Sequence, residues 1–182
     1  MLGGYMGKIL WIDLSTAKLT DRHLDDELCK NYLGGYGIGM RLIYDNQKAG
    51  IDPLDPGSIV AFGTGPLTGT PAVIGSRFTV MGKSPASHTW GDANSGGYFG
   101  PALKQSGYDM VFFTGIADNP VYLSIDNGKA ELRDASELWG MTTYEVEDTL
   151  ERLCGNDAQV ACIGPAGERS SPISAVMHDK GR

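Results

Sequence analysis

The residues best suited to chemistry lie between Ser76 and Gly107. Arg77 leaves a strand-like run there, and Asn94-Ser95-Gly96-Gly97 makes a turn that feeds a short helix. Backbone without side chains, exposed amide N–H groups and one guanidinium together form a receptor for an anion that carries a flat organic body. The plainer reading is a glycine-rich loop joining a strand to a helix. Elsewhere, chemistry-bearing residues are scattered. His23, His88 and His178 are isolated, and Cys29, Cys154 and Cys162 include no C-x-x-C pair, so local spacing assembles neither a zinc site nor an iron–sulphur cluster. The three thiols are expected to be buried small hydrophobes.

Familiar motifs fail on inspection. Gly35-Tyr36-Gly37-Ile38-Gly39 lacks the G-x-G-x-x-G spacing and follows an expected helix rather than a strand. Gly82-Lys83-Ser84 resembles the tail of a P-loop, but Arg77 stands where its first glycine belongs. A Ser84, His88 and Asp92 triad can be drawn, yet nothing in the sequence brings the three within hydrogen-bond reach.

Composition bounds the class. A chain of 182 residues is most simply one domain, or two small halves that share an interface. Its 26 glycines predict many turns and close backbone approaches. The net charge of −7 argues against nucleic acid, which requires a basic face. No apolar run is long enough to span a membrane, and the N-terminus lacks the order of a signal peptide, so a cytoplasmic protein is expected.

The elements that must position Arg77 and Asn94 are readable in order. Lys8 to Leu14 predicts a strand, and Leu19 begins its return. Asp25, Asp26 and Glu27 load the first turn of a helix whose stripe is Leu24, Leu28 and Tyr32, with Gly34-Gly35 as its stop. A short helix follows from Ile38 to Tyr44, then a buried strand from Ser58 to Phe62 running into the Gly63 to Gly69 loop. After the Arg77 strand and the Asn94 turn, Pro101 suits the first turn of a helix closed by Gly107. Met110 to Thr114 reads as a buried strand, and Asp126-Asn127-Gly128-Lys129 as a hairpin turn. Thr142-x-x-Glu145 has capping-box form, opening a helix with the stripe Val146, Leu150 and Leu153 that ends at Gly155. Gln159 to Ile163 and Ile173 to Met177 complete the strands.

The two halves, about 1–107 and 108–182, echo each other as hairpin, helix, strand, Gly-Pro loop and strand. The fold class expected is α+β, an internal duplication with mixed sheets packed about a pseudo-twofold axis and short helices outside. Arg77 and Arg182 would then follow equivalent strands and face a shared anionic ligand.

A family resemblance rests on ordered words along the whole chain. They include Tyr5-Met6-Gly7-Lys8-Ile9-Leu10, Tyr32-Leu33-Gly34-Gly35, Gly65-Pro66-Leu67-Thr68-Gly69-Thr70, Lys83-Ser84-Pro85 and Asn94-Ser95-Gly96-Gly97-Tyr98-Phe99-Gly100. Further on come Gly107-Tyr108-Asp109, Leu138-Trp139-Gly140, Ile163-Gly164-Pro165-Ala166-Gly167-Glu168 and Asp179-x-x-Arg182. The chain resembles the N-terminal domain of the tungsten-containing aldehyde ferredoxin oxidoreductases.

The resemblance implies an enzyme that oxidises aldehydes to carboxylates and passes electrons to ferredoxin. Its cofactor would be tungstopterin, a tungsten or molybdenum ion held by two pyranopterins. Arg77, Asn94, Gly96 and Arg182 match pterin-binding positions, with Ser95 and Gly97 in the same turn. The backbone carbonyl of Asn94 would serve a magnesium ion joining the pterin phosphates. The four-iron iron–sulphur cluster and the acid–base residues would lie in downstream domains or a companion chain. This chain departs from the pattern at Tyr36, where arginine is usual, and at His178, where asparagine is usual.

Two readings follow. In one, the chain is the cofactor-binding base of an oxidoreductase and is inactive alone. In the other, it is a binding or structural module that keeps the fold without the cofactor. On the first, the face around Arg77 is expected to carry apolar surface that favours self-association into a homo-oligomer.

Overall fold

The computed structural model describes residues 3–155 and 157–181. Strands β1 (Lys8–Asp13) and β2 (Lys18–His23) form the first hairpin. Its turn is tied by Asp13, whose carboxylate accepts from Ser15 N at 3.0 Å and Thr16 Oγ1 at 2.8 Å. Helix α1 (Asp26–Asn31) is capped by Asp25, which accepts from Glu27 N at 2.6 Å. The stripe residues Leu24 and Tyr32 flank this short helix rather than lie within it. Helix α2 (Tyr36–Asn46) then starts from Gly35 and is one turn longer than expected.

Strands β3 (Val60–Thr64), β4 (Phe78–Lys83) and β5 (Trp90–Ser95) form an antiparallel meander. Helix α3 (Phe99–Gln105) leads into β6 (Met110–Thr114). The sheet order is β2-β1-β6-β3-β4-β5, antiparallel except between β1 and β6. Strand β6 therefore enters from the second expected half and occupies the middle of the first half's sheet. Its parallel pairing with β1 is a non-local contact that no local sequence pattern announces.

Strand periodicity sorts the core into two faces. Ile9, Met110 and Phe112 point with Ile38 and Ile43 to the α1/α2 side. Leu10, Ile12 and Val111 point with Leu103 and Tyr108 to the α3 side. Each such side chain, fully buried, contributes about 1.5–3 kcal/mol. Helix α2 sits directly on the sheet at Gly39, where a Cβ would fall 2.1 Å from Met81 Sδ.

The remaining strands form two separate ladders. Strands β7 (Val121–Asp126) and β8 (Lys129–Asp134) pair through a turn with Asn127 at φ 47° and Gly128 at φ 79°. This is the left-handed pair that a two-residue hairpin needs. Helix α4 (Thr143–Cys154) carries the full capping box between Thr142 and Glu145. Val146 and Leu150 are buried, but Leu153 is 68% exposed. Short strands β9 (Ala161–Cys162) and β10 (Met177–His178) pair antiparallel, with helix α5 (Pro165–Glu168) between them. The longer strands expected over 159–163 and 173–177 are thus reduced to two residues each. Cys29 is buried, Cys162 is half-buried and Cys154 is exposed, so burial fails for Cys154, the last residue of α4.

Among the described residues no helix is long and apolar enough to cross a membrane.

Candidate functional site

Arg77 immediately precedes β4, and Asn94 and Ser95 are the last two residues of β5. The expectation that Arg77 leaves a strand and that Asn94 begins a turn is corrected accordingly. Both are anchored in neighbouring strands, and only Gly96-Gly97 turns. Cross-strand pairing sets Thr79 opposite Asn94 and Phe78 opposite Ser95.

That register places Arg77 over the Asn94 side chain. Arg77 Nε donates to Asn94 Oδ1 in a short hydrogen bond, and Arg77 Nη2 donates to Asn94 O at 3.3 Å. Asn94 Nδ2 in turn donates to Thr79 Oγ1 at 3.1 Å. Thr79 is buried, so the amide is fixed at both ends. The guanidinium is exposed, and among the described residues Nη1 makes no hydrogen bond, which leaves donors for an external anion.

Below Arg77, Thr68 Oγ1 donates to Arg77 O at 2.6 Å and accepts from Gly65 N at 3.0 Å. Gly65 O accepts from Lys104 Nζ at 2.5 Å, and Gly4 O accepts from the same ammonium in a short bond. Lys104 is buried, 3.7 Å from Asp109, whose carboxylate also accepts from Met6 N and Gly7 N. Burial pulls the Lys104 ammonium below its ordinary range, and Asp109 opposes that pull. A charged pair under the sheet thus holds the loop that holds Arg77.

The Gly96-Gly97 turn is fastened from the other end of the chain. Asp179 Oδ2 accepts from Tyr98 N at 2.7 Å, and His178 Nε2 lies 2.8 Å from Ser95 Oγ. His178 is buried edge-on against Phe78 at 5.0 Å between ring centroids. Gly97 has φ 87°, and a Cβ there would lie 1.8 Å from Asp179 Oδ2. Around Gly96 there is space: a Cβ would meet Ser76 Oγ at 3.4 Å and Arg77 Nη1 at 3.7 Å. The two glycines therefore differ. Gly97 is required by the fold, whereas Gly96 leaves bare backbone beside the guanidinium.

The structure brings Arg77, Asn94, Ser95, Gly96 and Gly97 together. Arg182 lies outside the described residues, although its neighbours Lys180 and Gly181 follow directly on His178 and Asp179. Glu147 Oε2 accepts from Lys180 N at 2.9 Å, and its buried Oε1 has no hydrogen-bond partner among the described residues. Thr68, Thr79, Lys104, Glu147 and His178 were not singled out as site residues. Their signal was weak: a buried threonine or histidine shows itself in a sequence only by interrupting an apolar face, and short strands have little face to interrupt. Among the described residues no side-chain hydrogen bond joins Ser84, His88 and Asp92: Ser84 Oγ accepts from Ser87 N at 3.3 Å and Asp92 Oδ2 from Trp90 Nε1 at 2.6 Å.

The chain matches the family model described as aldehyde ferredoxin oxidoreductase, N-terminal domain, over residues 9–182. It is 42% identical over 177 residues to a tungsten-containing aldehyde ferredoxin oxidoreductase of Pyrococcus horikoshii, covering 97% of this chain and 29% of that protein. The aliphatic sulfonate oxidoreductase, WOR-like subunit, of Pyrococcus furiosus is 32% identical over 189 residues, covering 95% of this chain and 30% of that protein. Among solved structures, the active site complex BamBC of benzoyl coenzyme A reductase in complex with 1,5 dienoyl-CoA matches with a TM-score of 0.94 at 32% identity. It covers 98% of this chain and 27% of that one. The chain therefore belongs to the aldehyde ferredoxin oxidoreductase family, as its N-terminal domain. It spans about 29% of the length of the curated relatives it matches.

Proposed function

We propose that residues 1–182 form a single domain, the pyranopterin-binding base of a tungsten- or molybdenum-dependent oxidoreductase that converts aldehydes to carboxylates and reduces ferredoxin. The observation that carries the proposal is the exposed Arg77 guanidinium, clamped by Asn94 beside the open backbone of Gly96. A fixed planar donor next to a glycine suits a phosphate joined to a flat ring, because the fork meets the anion while bare backbone admits the ring. Arg182 would add a second cation from the other half, and the Ser95 and Gly97 backbone would line the approach. The bound metal–dithiolene group supplies the redox centre; the protein's part is binding and orientation.

Magnesium fits less simply. The Asn94 carbonyl faces Arg77 Nη2 at 3.3 Å, so serving a dication there requires the guanidinium to share or release it. The four-iron cluster, the aldehyde pocket and the ferredoxin contact belong, on this reading, to domains beyond this chain or to a companion chain. Residues 1–182 alone would be inactive.

Anaerobic purification of the longest chain its reading frame encodes, followed by metal and pterin analysis, tests the proposal. Tungsten or molybdenum with pterin is expected. A folded chain free of pterin would overturn the reading, and viologen reduction by residues 1–182 with an aldehyde would overturn the inactivity.

A further inference from the structure

Glu147 shares the buried face of α4 with Val146 and Leu150, and it is itself only 2% exposed. Its Oε2 accepts from Lys180 N at 2.9 Å, while Oε1 makes no hydrogen bond among the described residues. The Lys180 ammonium is engaged elsewhere, on Asp148 Oδ1 and, at 3.4 Å, on Tyr144 O. A buried carboxylate so sparsely bonded costs stability, because one hydrogen bond replaces little of the hydration it has lost. An apolar side chain of similar volume would suit that face better. What the carboxylate contributes instead is read from where its one bond lands.

It lands on a strained turn. Asp179, Lys180 and Gly181 have φ 48°, 54° and 89°, so two successive residues with side chains sit in the left-handed region. That conformation persists only where its surroundings hold it. Gly181 N donates to His178 O at 3.0 Å, which closes the turn. Glu147 takes Lys180 N on one side, and on the other Asp179 Oδ2 takes Tyr98 N at 2.7 Å. If Lys180 relaxed to an ordinary φ, the turn would rotate and carry the Asp179 carboxylate off Tyr98 N. We propose that Glu147 is a positioning residue of the Arg77 site. Its carboxylate holds the 179–181 turn in left-handed form, and through Asp179 that turn holds the Gly96-Gly97 backbone beside the guanidinium.

The inference deepens the pterin-binding reading and rests on it for the ligand. Three variants of the longest chain its reading frame encodes separate positioning from support of the core. Glu147→Leu removes the acceptor and keeps the bulk, so the thermal midpoint should hold or rise. In the same variant the Tyr98 amide should exchange about tenfold faster or more under native conditions, where local opening sets the rate. Glu147→Gln keeps an acceptor for Lys180 N, and its Tyr98 exchange should stay within about threefold of the parent. Leu150→Ala, on the same helix face, should lower the midpoint but leave Tyr98 exchange within about threefold, because every bond of the chain from Glu147 to Tyr98 survives.

Metal and pterin per chain supply the second readout. Glu147→Leu should lose at least about threefold in both, and Glu147→Gln should retain them. Unchanged Tyr98 exchange in Glu147→Leu overturns the proposal. So does a midpoint that falls with Glu147→Leu as far as with Leu150→Ala, which would mark Glu147 as core support. Full cofactor in Glu147→Leu, where Arg77→Ala loses its own, overturns this inference alone. Full cofactor in both variants overturns the reading of the site on which it rests.

Discussion

His178 Nε2 and Ser95 Oγ, 2.8 Å apart across 83 positions of sequence, join the end of the described chain to the strand that carries Asn94. The ring is buried against Phe78, and its Nδ1 lies 3.1 Å from Asp179 Oδ2 without the alignment of a hydrogen bond. One histidine thus packs against both Phe78 of β4 and Ser95 of β5, while the next residue, Asp179, accepts from Tyr98 N. The turn that would meet the cofactor is pinned from outside its own hairpin.

Removing that pin is expected to cost stability. His178→Ala strands the Ser95 hydroxyl and opens space beside Phe78, with an expected loss of about 1–3 kcal/mol. His178→Asn keeps a polar reach toward Ser95 and should lose less. Urea denaturation measures both. Equal stability of His178→Ala and the parent chain would show that the link contributes nothing.

Gly96 and Gly97 should separate in their responses. Gly97→Ala meets both φ 87° and the Asp179 carboxylate, so it is expected to lower stability by about 1–3 kcal/mol. Gly96→Ala, whose nearest contact is 3.4 Å away, should stay within about 0.5 kcal/mol of the parent. On the proposed reading, it should also reduce pterin retention by the longest chain its reading frame encodes. Equal destabilisation by the two substitutions would contradict the division of roles.

Cysteine reactivity gives a pH test. Burial first, then the Glu147 carboxylate, pushes the Cys162 thiol up to about 11. The raised value means that folding favours the protonated thiol, so this contribution is present below the unfolded thiol's ordinary range and is lost as pH rises through about 11. Iodoacetamide at pH 8 should label exposed Cys154 and spare Cys162, with labelling of Cys162 rising only toward pH 11. Comparable labelling of both at pH 8 would be the contrary result.

The rim beside Arg77 carries apolar surface: Val73 is 89% and Ile74 74% exposed. Ile74 also adopts φ 65°, unfavourable for a β-branched residue. Ile74→Asn should therefore raise stability by about 1 kcal/mol and weaken self-association of residues 1–182. Sedimentation velocity across a concentration series reads the second effect. A parent chain that stays monomeric at high concentration would refute the association.

Local chemistry made much of the fold legible. The Asp13 turn, the Asp25 cap, the Asn127-Gly128 hairpin and the Thr142 capping box each depend on residues within a few positions. Arg77 and Asn94 were legible for the same reason, as a cation and a glycine-flanked amide in an otherwise ordinary stretch. Long-range placement was not. Nothing local sends β6 between β1 and β3, and nothing near His178 names Ser95 as its partner. Leu153 follows the apolar period of α4 but lies in its last turn, where it is 68% exposed among the described residues. Strands β9 and β10 are only two residues long, a length at which strand periodicity carries no information.

Cofactor content of an Arg77→Ala variant of the longest chain tests the central claim most directly, because Arg77 contacts Asn94 at an exposed rim and bears little of the fold. Metal and pterin per chain should fall at least about tenfold, the loss of one charge-assisted pair of bonds, while thermal unfolding changes little. Retention of full metal and pterin by that variant would contradict the account.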